Sequence, residues 1–344
     1  MRHAPGGVRR LNTESMNTLP SVAFVCPVWN AARDLPACLE TIAKQDYPKD
    51  LLEIIVVDGG STDGTVDIAR SFGARVIPNP DRLAEPGVQR GFQAATADIV
   101  FIVAADNGLP RPDWVRLMVR PFVERPHVMG VYTQIIPAPG DNSFTRYYCR
   151  LHVEPFTWFV YGDASNPRRF DRAYRTSARG DGYAIYAFTP MTHPLLALAQ
   201  GFGLRRSFVR RAGFEQDDIL PVIQMIEEGD ELAYVPDAGV YHHHISSFQH
   251  FVRKYRWRIH NSLYGETAGF DNRATYLSTA RRARKYLFEL YGLSFVWPLF
   301  DGFRLWARER DRCMMWHGPA SFGLAWIILT ELVRRYLGPK GGRA

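Results

Sequence analysis

Over the first hundred residues, short continuous apolar runs alternate with stretches whose apolar positions recur at helical spacing. Residues 21–28 (SVAFVCPV) are a buried-strand run closed by Pro27, and Leu35, Leu39 and Ile42 then follow at the i, i+4, i+7 spacing of a helix face. Residues 52–57 (LEIIVV) predict a second strand, ended by the turn-rich 58–64 (DGGSTDG) and followed by a helix over 65–72. A third short strand at 75–77, a helix over 87–97 and a fourth strand at 99–103 (IVFIV) complete the series. Strands alternating with helices predict βαβ units, hence an α/β fold with a mostly parallel, Rossmann-like sheet flanked by helices. Ligands of such sheets bind beyond the carboxyl ends of the strands, where Asp58 and Asp106 both fall.

The pattern is less legible between 135 and 200, a Pro-, Arg- and aromatic-rich stretch containing Phe156, Trp158, Phe159, Tyr161 and Tyr174. It reads as an elaborated loop region. Order returns over 201–211, with a helix over 217–228 and strands at 232–235 and 239–242. The tail is aromatic: residues 286–306 carry eight aromatic side chains, and a second apolar patch at 322–329 precedes Glu331 and Arg334-Arg335. Basic residues beside apolar, aromatic-rich helices suit a membrane-surface helix pair; helix–helix core packing or a homodimer interface accounts for the same pattern.

Composition narrows the picture. Of the 344 residues, 46% are hydrophobic and 22% charged, which excludes a mainly disordered or fibrous chain. Cys26, Cys38, Cys149 and Cys313 lie far apart with no C-x-x-C pair, so neither a disulfide framework nor a structural zinc site is expected, in keeping with a reducing cytoplasm. The net charge of +7 is uneven: residues 245–344 hold 17 Lys and Arg against 7 Asp and Glu. A local positive field of this kind fits nucleic acid, anionic lipid or a phosphorylated substrate. The first twenty residues lack the apolar stretch of a signal peptide, and no run of 18 or more apolar residues predicts a membrane span.

Four motifs appear in order: Pro27-Val28-Trp29-Asn30, then 56–65 (VVDGGSTDGT), then 87–91 (GVQRG), then 103–107 (VAADN). Gly213-Phe214, Asp217-Asp218, Gly229 and Val240-Tyr241-His242 continue the series. Over about residues 20–260 this ordered set resembles the family 2 inverting glycosyltransferases of GT-A fold, of the membrane-associated type. The basic, aromatic tail places the expected activity at the inner face of the cell membrane, on a lipid-linked or polysaccharide acceptor, and the resemblance itself implies transfer of a sugar from a UDP- or GDP-sugar to an acceptor hydroxyl. It divides the chain into a flexible lead (1–19), a GT-A domain (20–250, with a nucleotide-binding half over 20–110 and an acceptor half over 111–250) and a helical extension (251–344). Pro27, Trp29, Asn30, Asp58, Gly59, Gln89, Ala105 and Asp106 are then expected on the nucleotide sugar.

Asp58 opens a glycine turn after a buried strand, so its carboxylate can accept from a base N–H or a ribose hydroxyl. The competing role, an Asx-turn acid at the head of the next helix, suits Asp63 better. The family's Asp-x-Asp, which holds a divalent cation on the donor diphosphate, is altered here: Ala104 stands at the first acid and only Asp106 remains. That substitution weakens the implication of Mn²⁺ or Mg²⁺, because one carboxylate suffices only with donor oxygens or a further ligand. His242, at the family's V-x-H position, is the candidate second metal ligand, with His243 and His244 as neighbours.

Counting back from Gly229, the family's acidic pair falls on Asp217-Asp218, with Asp218 as the general base that takes the acceptor proton. Both acids also suit the first turn of a helix, and the one-residue choice between them stays open. Within 253–258 (RKYRWR), Arg256 is the candidate for the leaving diphosphate; a solvated helix face or lipid contact would use the same charges. Other classes fare worse. A catalytically silent GT-A protein that binds a nucleotide sugar or a partner enzyme is the alternative that Ala104 raises. No G-x-G-x-x-G follows the first strand, and no nucleic-acid recognition motif accompanies the basic tail.

Overall fold

The computed structural model describes residues 19–214, 217–243, 245–264 and 276–337. Almost all of the flexible lead expected over 1–19, and His244, lie outside the described residues. The expected alternation is present: β1 (Val22–Val28), α1 (Leu35–Ala43), β2 (Leu52–Asp58), α2 (Thr65–Ser71), β3 (Arg75–Pro78), α3 (Ala84–Ala94) and β4 (Ile99–Ile102). β3, β2, β1 and β4 are parallel neighbours in that order. Strand β1 is a continuous apolar run because both of its faces are covered. Phe24 and Cys26 pack with Leu35, Leu39 and Ile42 of α1, while Ala23 and Val25 pack with Val88 and Phe92 of α3. Helix α3 approaches closely because Gly91 faces the sheet: a Cβ there would stand 2.2 Å from Val25 Cγ1. The helix begins three residues before the expected Gly87, since Pro86 sits in its first turn, where no donor is needed.

Beyond β4 come β5 (Asn107–Gly108), α4 (Trp114–Glu124), β6 (Val128–Tyr132) and β7 (Ile135–Ile136). The stretch 135–200 is far from a plain loop. It holds α5 (Ser143–Leu151), α6 (Pro155–Tyr161), α7 (Phe170–Ala173), β8 (Thr176–Gly180) and β9 (Tyr183–Tyr186). Its elements are too short, and their cores too dependent on distant partners, to leave a periodic trace in sequence. Then follow β10 (Phe202–Arg205), α8 (Leu220–Glu227), β11 (Glu231–Tyr234) and β12 (Val240–His242). The described residues form one nine-stranded sheet ordered β3-β2-β1-β4-β10-β6-β11-β9-β8, and a small sheet ordered β5-β12-β7. Strand β10 pairs antiparallel with both β4 and β6, so the sheet is mixed in its second half.

The C-terminal part comprises α9 (Phe248–Tyr264), α10 (Thr279–Leu293), α11 (Val296–Glu309) and α12 (His317–Leu337). Its core does not stop at residue 251. Phe144, Tyr147, Tyr148 and Leu151 of α5 pack with Phe251 and Tyr255 of α9, Phe288 of α10 and Leu324 of α12. The helical layer is thus built from two separated segments, and α5 and α6 dock it onto the sheet. No helix among the described residues is long and apolar enough to cross a membrane.

Candidate active site

The loops after β1 and β2 are stitched into one rim. Asn30 N–H donates to Ser61 Oγ at 2.8 Å, and Asn30 Oδ1 accepts from Thr62 N–H at 2.9 Å. Ala31 N–H reaches Thr65 Oγ1 and Ala32 N–H reaches Asp63 Oδ2. The Thr65 hydroxyl, chiefly, holds the Asp63 carboxyl below its ordinary range. The turn role is shared: Asp58 also accepts from Gly60 N–H at 2.9 Å and Ser61 N–H at 3.1 Å. Gly60 closes this turn at φ +83°, a conformation that favours glycine. Two backbone bonds orient the Asp58 carboxylate and leave acceptor capacity for a ligand. Trp29 projects from the rim, 56% exposed, beside the buried Gly59.

At the carboxyl ends of β1 and β4 lies a cleft of about 110 Å³ whose walls include Pro27, Ala104, Glu85, Arg210, Asp217 and Asp218. Residues almost two hundred positions apart in sequence meet here. Gln89 lies beside it, facing a smaller cavity with Leu198 and Arg210.

The two adjacent acids have different surroundings. Asp217 is buried, and its Oδ1 accepts from Ile219 N–H at 2.7 Å and Leu220 N–H at 2.8 Å, capping the start of α8. The helix therefore begins at Leu220, later than the expected 217. Asp218 retains more exposed surface, and its carbonyl accepts from Leu198 N–H at 2.8 Å, tying the 198 loop to the cleft.

Asp106 is placed by a tight turn in which Ala104 N–H donates to Asn107 Oδ1 and Asn107 N–H to Ala104 O, with Ala105 between them. Antiparallel pairing of β5 with β12 sets His242 opposite Asn107. The result is His242 Nε2 at 3.6 Å from Asp106 Oδ2, with His243 N–H donating to Asp106 O. Burial pushes the His242 imidazole down, opposed by the Asp106 charge and assisted by Lys254. A neutral imidazole beside a carboxylate is a competent pair of ligands for a cation such as Mn²⁺, with phosphate and water oxygens completing the shell. No group of three such ligands exists among the described residues, so the fit is that of a two-ligand site.

On α9 the buried positions are Phe251 and Tyr255, which orients the rest of the helix. Arg256 and Arg258 are both exposed, and nothing among the described residues links Arg256 to the cleft. Lys254 and Arg258, one turn apart, carry that link instead. Burial lowers the Lys254 ammonium against the attraction of Asp106. Arg258 is held above its ordinary value: burial opposes its charge, and Glu154, Tyr255, Tyr148 and Asp218 outweigh that penalty. Sequence reading held both residues within the 253–258 segment without separating them from Arg256, and it missed His152, a half-buried neighbour of His242 whose imidazole burial pushes down to about 3. The available signal was the helical phase of 251 and 255, which puts 254 and 258 on one face and 256 on another.

Residues 23–186 match the sequence model of Glycosyl transferase family 2. They form a family 2 glycosyltransferase domain. The chain is 40% identical over 83 residues to the glycosyltransferase AglE of Haloferax volcanii, covering 24% of this chain and 27% of that protein. It is 26% identical over 121 residues to a dolichyl N-acetyl-alpha-D-glucosaminyl phosphate 3-beta-D-2,3-diacetamido-2,3-dideoxy-beta-D-glucuronosyltransferase of Methanococcus voltae, covering 32% and 37%. These alignments therefore span about a third of the relatives' lengths. The whole chain is similar in fold to a mannosyltransferase of Pyrobaculum calidifontis solved with GDP-Man and Mn²⁺. The TM-score is 0.50 at 18% identity, over 91% of this chain and 88% of that one. The family 2 domain and its C-terminal helices thus share the GT-A architecture, with the cleft at the carboxyl ends of the first strands.

Proposed function

We propose that the protein is an inverting glycosyltransferase that moves a sugar from a nucleoside-diphosphate donor to a hydroxyl of a lipid-linked or polysaccharide acceptor. The observation that carries this reading is the pair Asp217 and Asp218: both line the cleft, but Asp217 is buried and caps α8 through Oδ1, whereas Asp218 keeps more exposed surface towards an acceptor. The nucleoside lies along the rim made by Pro27, Trp29, Asn30 and Asp58, with the diphosphate beside Asp106 and His242. Asp218 takes the acceptor proton. The acceptor oxygen attacks the anomeric carbon from the face opposite the diphosphate, and the bond from that carbon to the diphosphate oxygen breaks. Lys254, which is half-buried, and Arg258, which is exposed, receive the charge that develops on the leaving group. Asp106 and His242 would hold a divalent cation, which would supply further neutralisation of the diphosphate.

The dolichyl-linked substrate in the name of the Methanococcus voltae relative supports a lipid-linked acceptor, and the exposed aromatic face of the C-terminal helices supports work at the cytoplasmic membrane surface. The test is calorimetric titration with UDP and GDP, each with Mn²⁺ and with EDTA, followed by transfer assays with the sugar nucleotides of whichever binds. Binding that needs Mn²⁺ supports the Asp106–His242 site, and metal-indifferent binding puts the diphosphate on Lys254 and Arg258 alone. Binding without hydrolysis or transfer would make the protein a silent nucleotide-sugar binder.

A further inference from the structure

A second pocket, of about 430 Å³, lies between α6, α7, α10 and α11 and shares no lining residue with the cleft at Asp218. Four guanidinium groups line it, those of Arg172, Arg284, Arg304 and Arg308, against only two carboxylates, Asp163 and Asp301. Both carboxylates are already engaged. Asp163 pairs with Arg308 at 3.1 Å, and Asp301 accepts from Tyr291 O–H at 3.0 Å with Arg304 at 3.7 Å. Among the described residues, Arg172 and Arg284 have no carboxylate within ion-pair distance. Crowding of like charge is felt behind the pocket: burial first, then Arg308, Arg168 and Arg172, pull the Arg169 guanidinium down to about 10. Such a cluster is repulsive when empty and stabilised by an anion that accepts several guanidinium bonds, as phosphate oxygens do.

The pocket opens beside apolar surface. Its wall includes Trp158 and Phe159, and the Arg304 guanidinium sits 5.8 Å from the Phe300 ring centroid. Phe300 and Phe303 on α11 are about half exposed, as is Leu287 on α10, and Trp297 is 63% exposed. An anion site whose lip is aromatic and aliphatic suits a ligand with a charged head and an apolar body.

We propose that this pocket binds the phosphate group of a membrane lipid, with the side chains of Trp297, Phe300 and Phe303 entering the bilayer surface around it. The proposal rests on the membrane placement above and names the site responsible. It is tested by co-sedimentation with vesicles of phosphatidylcholine containing phosphatidic acid, beside vesicles of phosphatidylcholine alone, with folding of each variant checked by thermal melting. Wild-type protein binds the phosphatidic acid vesicles. Arg172→Ala with Arg284→Ala weakens that binding roughly 25-fold, at about a factor of five for each arginine removed from the membrane surface. Lys44→Ala with Arg70→Ala, which removes the same charge from exposed positions of the N-terminal half, leaves it unchanged. Trp297→Ser with Phe303→Ser also weakens it.

Equal loss in the two charge variants would reduce the effect to net charge and overturn the pocket. Wild-type vesicle binding that survives the arginine variant would overturn the pocket, and silence of Trp297→Ser with Phe303→Ser would overturn the entry of those side chains into the bilayer surface. Wild-type protein that binds no vesicle, and instead dimerises through the apolar face, would overturn the membrane placement itself. Transferase activity is a separate readout, because Asp218→Asn protein should bind vesicles as wild type does.

Discussion

The Asp217 carboxylate accepts two backbone N–H bonds at the head of α8, so its removal is a stability change before it is a catalytic one. Asp217→Ala should cost about 1 kcal/mol in urea denaturation, the usual scale for losing such a cap. Asp218→Asn should lower kcat by about 10²–10⁴-fold while leaving nucleotide affinity intact, because proton abstraction is lost and the diphosphate contacts remain. Unchanged turnover in that variant would remove Asp218 from the mechanism. On the leaving-group side, Arg258→Ala should reduce kcat by about 10-fold or more, whereas Arg256→Ala should stay within about twofold of wild type. Both side chains are exposed on α9, and steady-state kinetics of the two variants tell which of them serves the leaving group. The motif around Asp106 and His242 was visible as residues at two distant places in the chain. Their 3.6 Å approach was not, because it depends on antiparallel pairing of two very short strands, β5 and β12.

At the scale of elements, α3 is the part of the sheet packing most sensitive to volume. Its Gly91 faces Val25 and Val57, and an added methyl would lie 2.2 and 2.9 Å from their side chains. Gly91→Ala should therefore destabilise the fold by about 1–3 kcal/mol, in spite of alanine's better helix propensity. Since Glu85 and Val88 of the same helix line the cleft, nucleotide affinity should fall in parallel; denaturation and calorimetry on the one variant check both. Elements of the first hundred residues were legible because each is a whole strand or helix with both partners nearby in sequence. Helices α5 and α6 were not legible. Their apolar faces, with Phe144, Tyr147 and Phe156, pack against residues more than a hundred positions later, and the intervening Arg and Pro residues mask the period.

Across the whole molecule, the helical layer is held by a buried polar chain. His317 on α12 bonds Tyr147 O–H of α5 through Nδ1 and Tyr291 O–H of α10 through Nε2, each at 3.0 Å, and Tyr291 donates to Asp301 of α11. Burial pushes the His317 imidazole down to about 3, and His152 behaves alike. Both are therefore neutral when folded and protonate near pH 6.5 when unfolded. Their folded values are depressed, so their contribution is present above pH 6.5 and is lost as the pH falls from there towards 3. Each should steepen the loss by about 1.4 kcal/mol per pH unit within that window. Urea denaturation at pH 7, 6 and 5 checks this, and His152→Asn should reduce the proton uptake on unfolding by about one near pH 5.

What the sequence determined by itself was the α/β alternation and the ordered motifs, because each is set by local turn chemistry or by periodicity within one element. Tertiary structure alone decided that both adjacent acids line one cleft and that Asp217 is the one that caps a helix. It also decided that Lys254 lies within the field of Asp106 and Arg258 within that of Asp218, and that four arginines from α7, α10 and α11 share one pocket. Those outcomes depend on helix rotation and on packing between segments a hundred residues apart, and neither is encoded in the spacing of neighbours along the chain.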